Sequence, residues 1–117
     1  MTINAELPSG PELRGELRIR SRAHALQSAL KKRAAGVPSL TVAEAAALCS
    51  VSQEHMYRLV RAGAVPSVRM RRGSEQGRYV VPAAVVEELF SAATVSAEPI
   101  EVAAWAEEWT GRTGGGR

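Results

Sequence analysis

Two short helical patterns joined by a polar turn occupy residues 40–63 and constrain the fold of this chain more than any other feature. Thr41 and Glu44 have the spacing of a capping box, which predicts that the first helix begins at Val42. Ser52 is a suitable N-cap for the second helix, and small or apolar residues on the inner sides predict close packing. These inner residues are Val42, Ala45, Ala46, Cys49, Met56, Leu59 and Val60.

Strand patterns follow this helix pair. Gly63 predicts a left-handed cap that ends the second helix, and residues 68–81 predict an arginine-rich hairpin. Pro82 then predicts the start of a third helix. The fold class is therefore α+β and mostly helical: a small winged helix-turn-helix domain with a two-stranded wing, flanked by an N-terminal basic helix and a short C-terminal helix.

The same patterns predict the domain organisation. Leu13, Leu17, Ala23, Leu26 and Leu30 form a stripe at helical spacing within a basic segment. We expect a disordered lead-in (1–10), a basic amphipathic helix (11–36), the winged helix-turn-helix domain (38–93), a linker (94–99), an acidic tryptophan-containing helix (100–110) and a flexible tail (111–117).

Composition excludes several classes of protein. The net charge of +3 is compatible with nucleic acid, and four arginines against one glutamate in residues 69–78 concentrate this charge. Cys49 is the lone cysteine, so neither a disulfide nor a cysteine zinc site is expected, and we predict no metal and no cofactor. No apolar run approaches the length of a membrane span, and we expect a cytoplasmic protein without a membrane partner. No nucleophile–base set or carboxylate pair indicates an enzyme.

The outer side of the second helix predicts contact with duplex DNA, because a B-form major groove admits one helix. Gln53 is suited to adenine, Arg58 to guanine and Glu54 to the amino group of cytosine. Arg61 is better placed for a phosphate. The predicted recognition-helix residues are Ser52, Gln53, Glu54, His55, Tyr57, Arg58 and Arg61.

Further DNA contacts are predicted on both sides of this helix. Thr41 is predicted to contact a phosphate at the first helix. Arginines on a hairpin can lie along the backbone or enter a minor groove. The predicted wing contacts are Arg69, Arg71, Arg72 and Arg78.

The run from Leu40 to Phe90 resembles the excisionase-type winged helix-turn-helix family, which is related to the DNA-binding domain of MerR-type regulators. The matching segments are L-T-V-A-E-A-A-A-L, the turn V-S, Y-R-L-V-R-A-G, V-P-S-V-R, Y-V-V-P and V-V-E-E-L-F. Ser50 stands where the family usually has glycine; in a left-handed conformation it would cost about 1 kcal/mol. Gln53-Glu54 replaces the family's usual basic pair, and His55 its usual threonine.

This resemblance implies a bacterial or phage-encoded excisionase, or recombination directionality factor, that bends attachment-site DNA and assists an integrase. The alternatives are a small MerR-like transcriptional regulator and an adaptor acting through the C-terminal helix. The resemblance also implies a monomer in solution that assembles on DNA.

Several residues leave more than one interpretation open. Glu54 has equal weight as a cytosine contact and as an acid favoured by the helix dipole. The basic helix could be a second DNA arm, a dimer surface or a helix packed on the core with a solvated basic face. Trp105 and Trp109 could cover the core or dock a protein partner such as an integrase, and docking is slightly favoured.

Overall fold

The computed structural model describes residues 10–70 and 78–112, and the side chains of residues 13–70 and 78–109. Within these ranges the chain forms five helices and three strands: α1 (Gly10–Ala35), β1 (Ser39–Thr41), α2 (Val42–Cys49), α3 (Gln53–Arg61), β2 (Val68–Met70), β3 (Arg78–Pro82), α4 (Ala83–Val95) and α5 (Val102–Arg112). The predicted fold class, a mostly helical winged helix-turn-helix domain, is confirmed.

The start of α2 and the turn that joins α2 to α3 both have the structure that the sequence predicts. The Thr41 hydroxyl accepts a hydrogen bond from the Glu44 backbone N–H at 3.0 Å, and the Glu44 carboxylate accepts one from the Thr41 N–H at 2.8 Å. Ser50 is left-handed, with φ 62° and ψ 35°, and the Val51 N–H donates to the Ala46 carbonyl at 3.0 Å. This reversal allows α3 to follow α2 with only three residues between them.

The sheet has three strands rather than the predicted two. β3 is the middle strand and pairs antiparallel with β1 on one side and with β2 on the other. The additional strand β1 pairs Leu40 with Val81, and both of these side chains are buried. A three-residue strand is too short to show an alternating pattern, so the capping box that follows it dominates the local sequence signal.

The core is small and almost entirely aliphatic. Val81 and Val85 are its largest fully buried side chains, and Met56 and Val60 bring α3 into contact with it. The predicted inner residues Val42, Cys49 and Leu59 are only partly buried at its edge. The other core members are Ala29, Leu40, Ala45, Ala46, Val65, Val86, Trp105 and Ala106.

The long helix α1 packs mainly on α2, but through small residues rather than through its leucines. Ala25 and Ala29 are buried, whereas the predicted stripe is largely exposed, with Leu26 at 39% and Leu30 at 47% of full exposure. Alanine lets two helix backbones approach closely, which explains why these residues make the contact. Packing on the core is one of the alternatives for this helix, and in the structure Ala25 and Ala29, rather than the leucines, make this contact.

A buried carboxylate fixes the junction between α1 and α2. Glu44 is 5% exposed and accepts hydrogen bonds from Lys32, at 2.7 Å, and from the Ser28 hydroxyl, both on α1. Burial alone would raise the pKa of Glu44. The bonds from Lys32, Ser28 and the Thr41 N–H, with the charge of Lys32, outweigh burial and lower the pKa from an ordinary 4.5 to about 2.

The C-terminal helix α5 covers the core. Trp105 is 6% exposed and stacks on Trp109, with ring centroids 5.7 Å apart and planes inclined by 20°. A buried ring offers no surface to a partner, so the docking prediction for Trp105 is replaced by its alternative, a core-covering role. Across residues 10–70 and 78–112, none of the helices combines the length and the apolar character needed to cross a membrane.

Candidate nucleic-acid interface

Helix α3 has one side in the core and the other in solvent. Met56 and Val60 are buried, and the outward side presents Glu54, Arg58 and Arg61, which follow one another at helical spacing. Gln53 and His55 are also exposed, in the first turn. An exposed row of polar and basic side chains on a nine-residue helix suits insertion into a major groove.

The start of α3 is a second polar feature of this surface. The Ser52 hydroxyl accepts a hydrogen bond from the His55 backbone N–H at 3.0 Å, which confirms Ser52 as the N-cap. Glu54 lies in the first turn, where a carboxylate is favoured by the helix dipole. Both interpretations of Glu54 therefore remain compatible with its position on the outward side of the helix.

An aromatic contact joins α3 to the wing. The rings of Tyr57 on α3 and Tyr79 on β3 meet edge to face, with centroids 5.8 Å apart and planes at 76°. The guanidinium of Arg61 lies 5.8 Å from the centroid of Tyr57, and that of Arg69 lies 5.5 Å from the centroid of Tyr79. Two tyrosines thus hold one arginine of the helix and one of the wing on a continuous surface.

The described part of the wing is exposed along its edge. Arg69 and Tyr79 are directly paired across the two strands, and Met70 pairs with Arg78. All three residues of β2 are exposed, and so is Arg78. Arg71 and Arg72 lie outside the described residues, so their predicted DNA contacts remain predictions.

Thr41 has a structural role that explains why this residue is a threonine. Its hydroxyl oxygen caps α2, while its backbone N–H is bound by the Glu44 carboxylate. The hydroxyl proton is not used in this capping bond and can still be donated to a phosphate. A phosphate contact at Thr41 therefore stays a prediction.

Cys49 does not contribute chemistry to this surface. It packs at the edge of the core, and burial raises the pKa of its thiol. A raised pKa leaves the thiol protonated and unreactive near neutral pH.

The residue that the sequence prediction missed is Tyr79. Its pattern predicts only a strand residue, whereas its ring contacts both Tyr57 of α3 and the guanidinium of Arg69. The sequence alone does not show this role, because the pairing of Arg69 with Tyr79 across the hairpin appears only when the strand register is known.

Comparison with known proteins supports the interpretation of this surface. Residues 39–94 match the family model of the helix-turn-helix domain. The matched range covers β1 through nearly all of α4, so it includes the sheet, the helix pair and the wing. No curated protein and no solved structure matches the chain. The match supports sequence-specific DNA binding by this segment of the chain, with α1 and α5 outside it.

Proposed function

We propose that this chain is an excisionase-type protein, which binds a specific duplex sequence with α3 in the major groove and the wing on the adjoining backbone. The observation that carries the proposal is the shared surface of α3 and the wing. Arg61 and Arg69 lie beside the paired rings of Tyr57 and Tyr79, and Arg61 ends the outward row that also contains Arg58. A helix and a hairpin in this relation can contact one duplex at the same time.

The roles of the individual side chains follow from their chemistry. Arg58, in the outward row, can bond both acceptors of a guanine edge, and Gln53 can bond both groups of an adenine edge. Arg61, at the end of the row, and Arg69, on the wing, are suited to phosphates and position the protein without selecting a sequence. Gln53 and Arg58 thus supply selectivity, and Arg61 and Arg69 supply most of the salt-dependent affinity.

Selection of bound sequences from random duplexes, at two salt concentrations, tests this proposal. We expect a short enriched motif with the wild-type protein. Arg58→Lys keeps the charge but loses the bidentate contact to guanine. The preference for guanine at one position should therefore fall by about 1–3 kcal/mol, while non-specific binding persists. Enrichment of no sequence, together with equal competition by heparin and duplex, would refute the proposal.

The biological role is proposed from the resemblance of residues 40–90 to excisionase-type domains. An excisionase binds the arms of an attachment site, bends them and assists an integrase. A purified integrase of the same element, given this protein, should then excise DNA faster. A footprint confined to a promoter, with no effect on recombination, would favour the alternative of a small MerR-like regulator.

The adaptor alternative has less support than before, since Trp105 is buried. Trp109 is half-buried beside it, and its prediction as a docking residue can be examined separately. Trp109→Ala should leave duplex binding unchanged. If the variant lost its biological activity while keeping both its fold and its DNA affinity, a protein partner at α5 would be indicated.

A further inference from the structure

An open groove lies between the N-terminal half of α1 and the start of α3. It extends past the point where Ala25 holds α1 against α2, so this half of α1 overhangs the helix-turn-helix. The groove's floor consists of small residues of α2 and the turn. The lining includes Arg14, Arg18 and Arg22 on α1, Ala47 on the floor and Glu54 in the first turn of α3.

The position of the arginines on α1 is unusual for an amphipathic helix. Arg14, Arg18 and Arg22 are spaced four residues apart, on the same side of the helix as buried Ala25 and Ala29. An ordinary packed helix turns its leucines inward and its arginines outward. Here the leucines of the packed half are largely exposed, while in the unpacked half the side that lines the groove carries three arginines as well as Leu17 and Ile19.

The electrostatics of the groove favour an anion. Three arginines and one carboxylate, that of Glu54, line the groove, and the first turn of α3 lies at one end of it. In the described part of the chain, the ion pairs are Lys32–Glu44 and Arg33–Glu87, and neither uses an arginine of the groove. The three guanidinium groups are therefore available to an external partner.

We propose that this groove holds the sugar-phosphate backbone of the duplex that α3 binds, so that Arg14, Arg18 and Arg22 contact phosphates beyond the end of the recognition helix. The inference rests on the proposed function. Arg14 and Arg22 are separated by about 12 Å along the helix, given a rise of 1.5 Å per residue. That length corresponds to roughly three or four base-pair steps of 3.4 Å.

The consequence is an extended footprint. α1 contacts the duplex beyond the N-terminus of α3, and the wing contacts it on the other side of α3. Each phosphate neutralised by an arginine should steepen the dependence of log affinity on log salt by about 0.9. The sequence preference should not change, because phosphates carry no base information.

A pair of charge-matched double variants tests the inference. Arg18→Gln with Arg22→Gln removes two charges from the groove, and Arg20→Gln with Lys31→Gln removes two exposed charges of α1 that do not line it. Both variants are measured on the full chain with the selected duplex, and circular dichroism verifies that the helices persist. The groove variant should lower the salt slope by about 1.8, whereas the control should leave it nearly unchanged.

Expressed as affinity, the change is large. Between 50 and 200 mM salt, the wild type should lose about twelvefold more affinity than the groove variant, given the difference of about 1.8 in slope. Hydroxyl-radical footprinting should show loss of protection at two flanking phosphates for the groove variant alone. Equal slopes for the two variants, or an unchanged slope for the groove variant, would overturn the inference.

Failure of the proposed function has a different signature. If the wild type selects no sequence, the function proposed for α3 is refuted whatever the two double variants do. If Arg58→Lys abolishes base preference while the two double variants still differ in salt slope, both proposals stand, since the two surfaces act independently.

Discussion

Tyr57 on α3 and Tyr79 on β3 pack edge to face, with 5.8 Å between their ring centroids. The contact joins two elements that are more than fifteen residues apart in the chain. Each ring also lies beside an arginine, so one pair of side chains orients two candidate phosphate contacts. The orientation of the wing relative to α3 is therefore set before any DNA is bound.

Removal of this aromatic contact should weaken DNA binding more than it weakens the fold. Tyr79→Ala leaves Tyr57 and Arg69 without their neighbouring ring, whereas Tyr79→Phe keeps the ring and serves as the control. A double-mutant cycle with Tyr57→Ala should give a coupling energy of about 0.5–1.5 kcal/mol in duplex affinity. A coupling near zero, from titrations at fixed salt, would show that the two rings act independently.

Arg61 should behave differently from Arg58. Arg61 is held beside Tyr57, away from the centre of the outward row, so Arg61→Gln should weaken all duplexes alike and lower the salt slope by about 0.9. The enriched motif should remain that of the wild type. Loss of preference at a particular base, seen in a competition assay with single-base variants of the site, would instead assign Arg61 to base contact.

Ser50→Gly should stabilise the protein. Ser50 has φ 62°, a conformation that costs a residue with a Cβ about 1 kcal/mol, and glycine avoids this cost. The greater flexibility of glycine in the unfolded chain offsets part of the gain, so we expect up to about 1 kcal/mol in urea denaturation. Ser50→Ala is the control, because alanine keeps the Cβ and should not stabilise. A destabilised glycine variant would contradict the predicted strain.

Stability should fall in acid through Glu44. Its pKa is lowered in the folded protein from an ordinary 4.5 to about 2, so the ionised form stabilises the fold at all pH values above about 4.5. That contribution is lost as the pH falls from about 4.5 to about 2. A shift of this size corresponds to a free energy on the order of 3 kcal/mol.

Glu44→Gln isolates this effect from the titration of other carboxyl groups. The variant should be less stable than the wild type at pH 7, because the neutral amide cannot form the charged bond to Lys32. The difference in the free energy of unfolding should shrink as the pH approaches 2. A difference that stays constant from pH 7 to pH 2 would show that the ionisation of Glu44 does not stabilise the junction.

Local signals in the sequence were sufficient for the helix-turn-helix. The capping box at Thr41 and the caps at Ser52 and Gly63 depend on residues no more than four positions apart, and all three appear where they were predicted. The exposed row of α3 followed from the same helical spacing.

Long-range contacts were not predictable in the same way. β1 is recognisable only through its pairing with β3, forty residues further along the chain. The sequence also did not predict which side of α1 packs on the domain, because a leucine stripe normally marks the packed side of a helix. In α1 the packed side is instead the one that carries two buried alanines and the hydrogen bonds of Ser28 and Lys32 to Glu44. Burial of Trp105 depends on where α5 folds back, which helical periodicity does not specify.

The central place of β3 in the sheet ties the wing to the helix pair mechanically. β1 leads directly into α2 and hydrogen-bonds to one edge of β3, while the wing strand β2 bonds to the other edge. A load applied to the hairpin would therefore pass through β3 to the base of α2, so the wing and the helix pair should move together as one body.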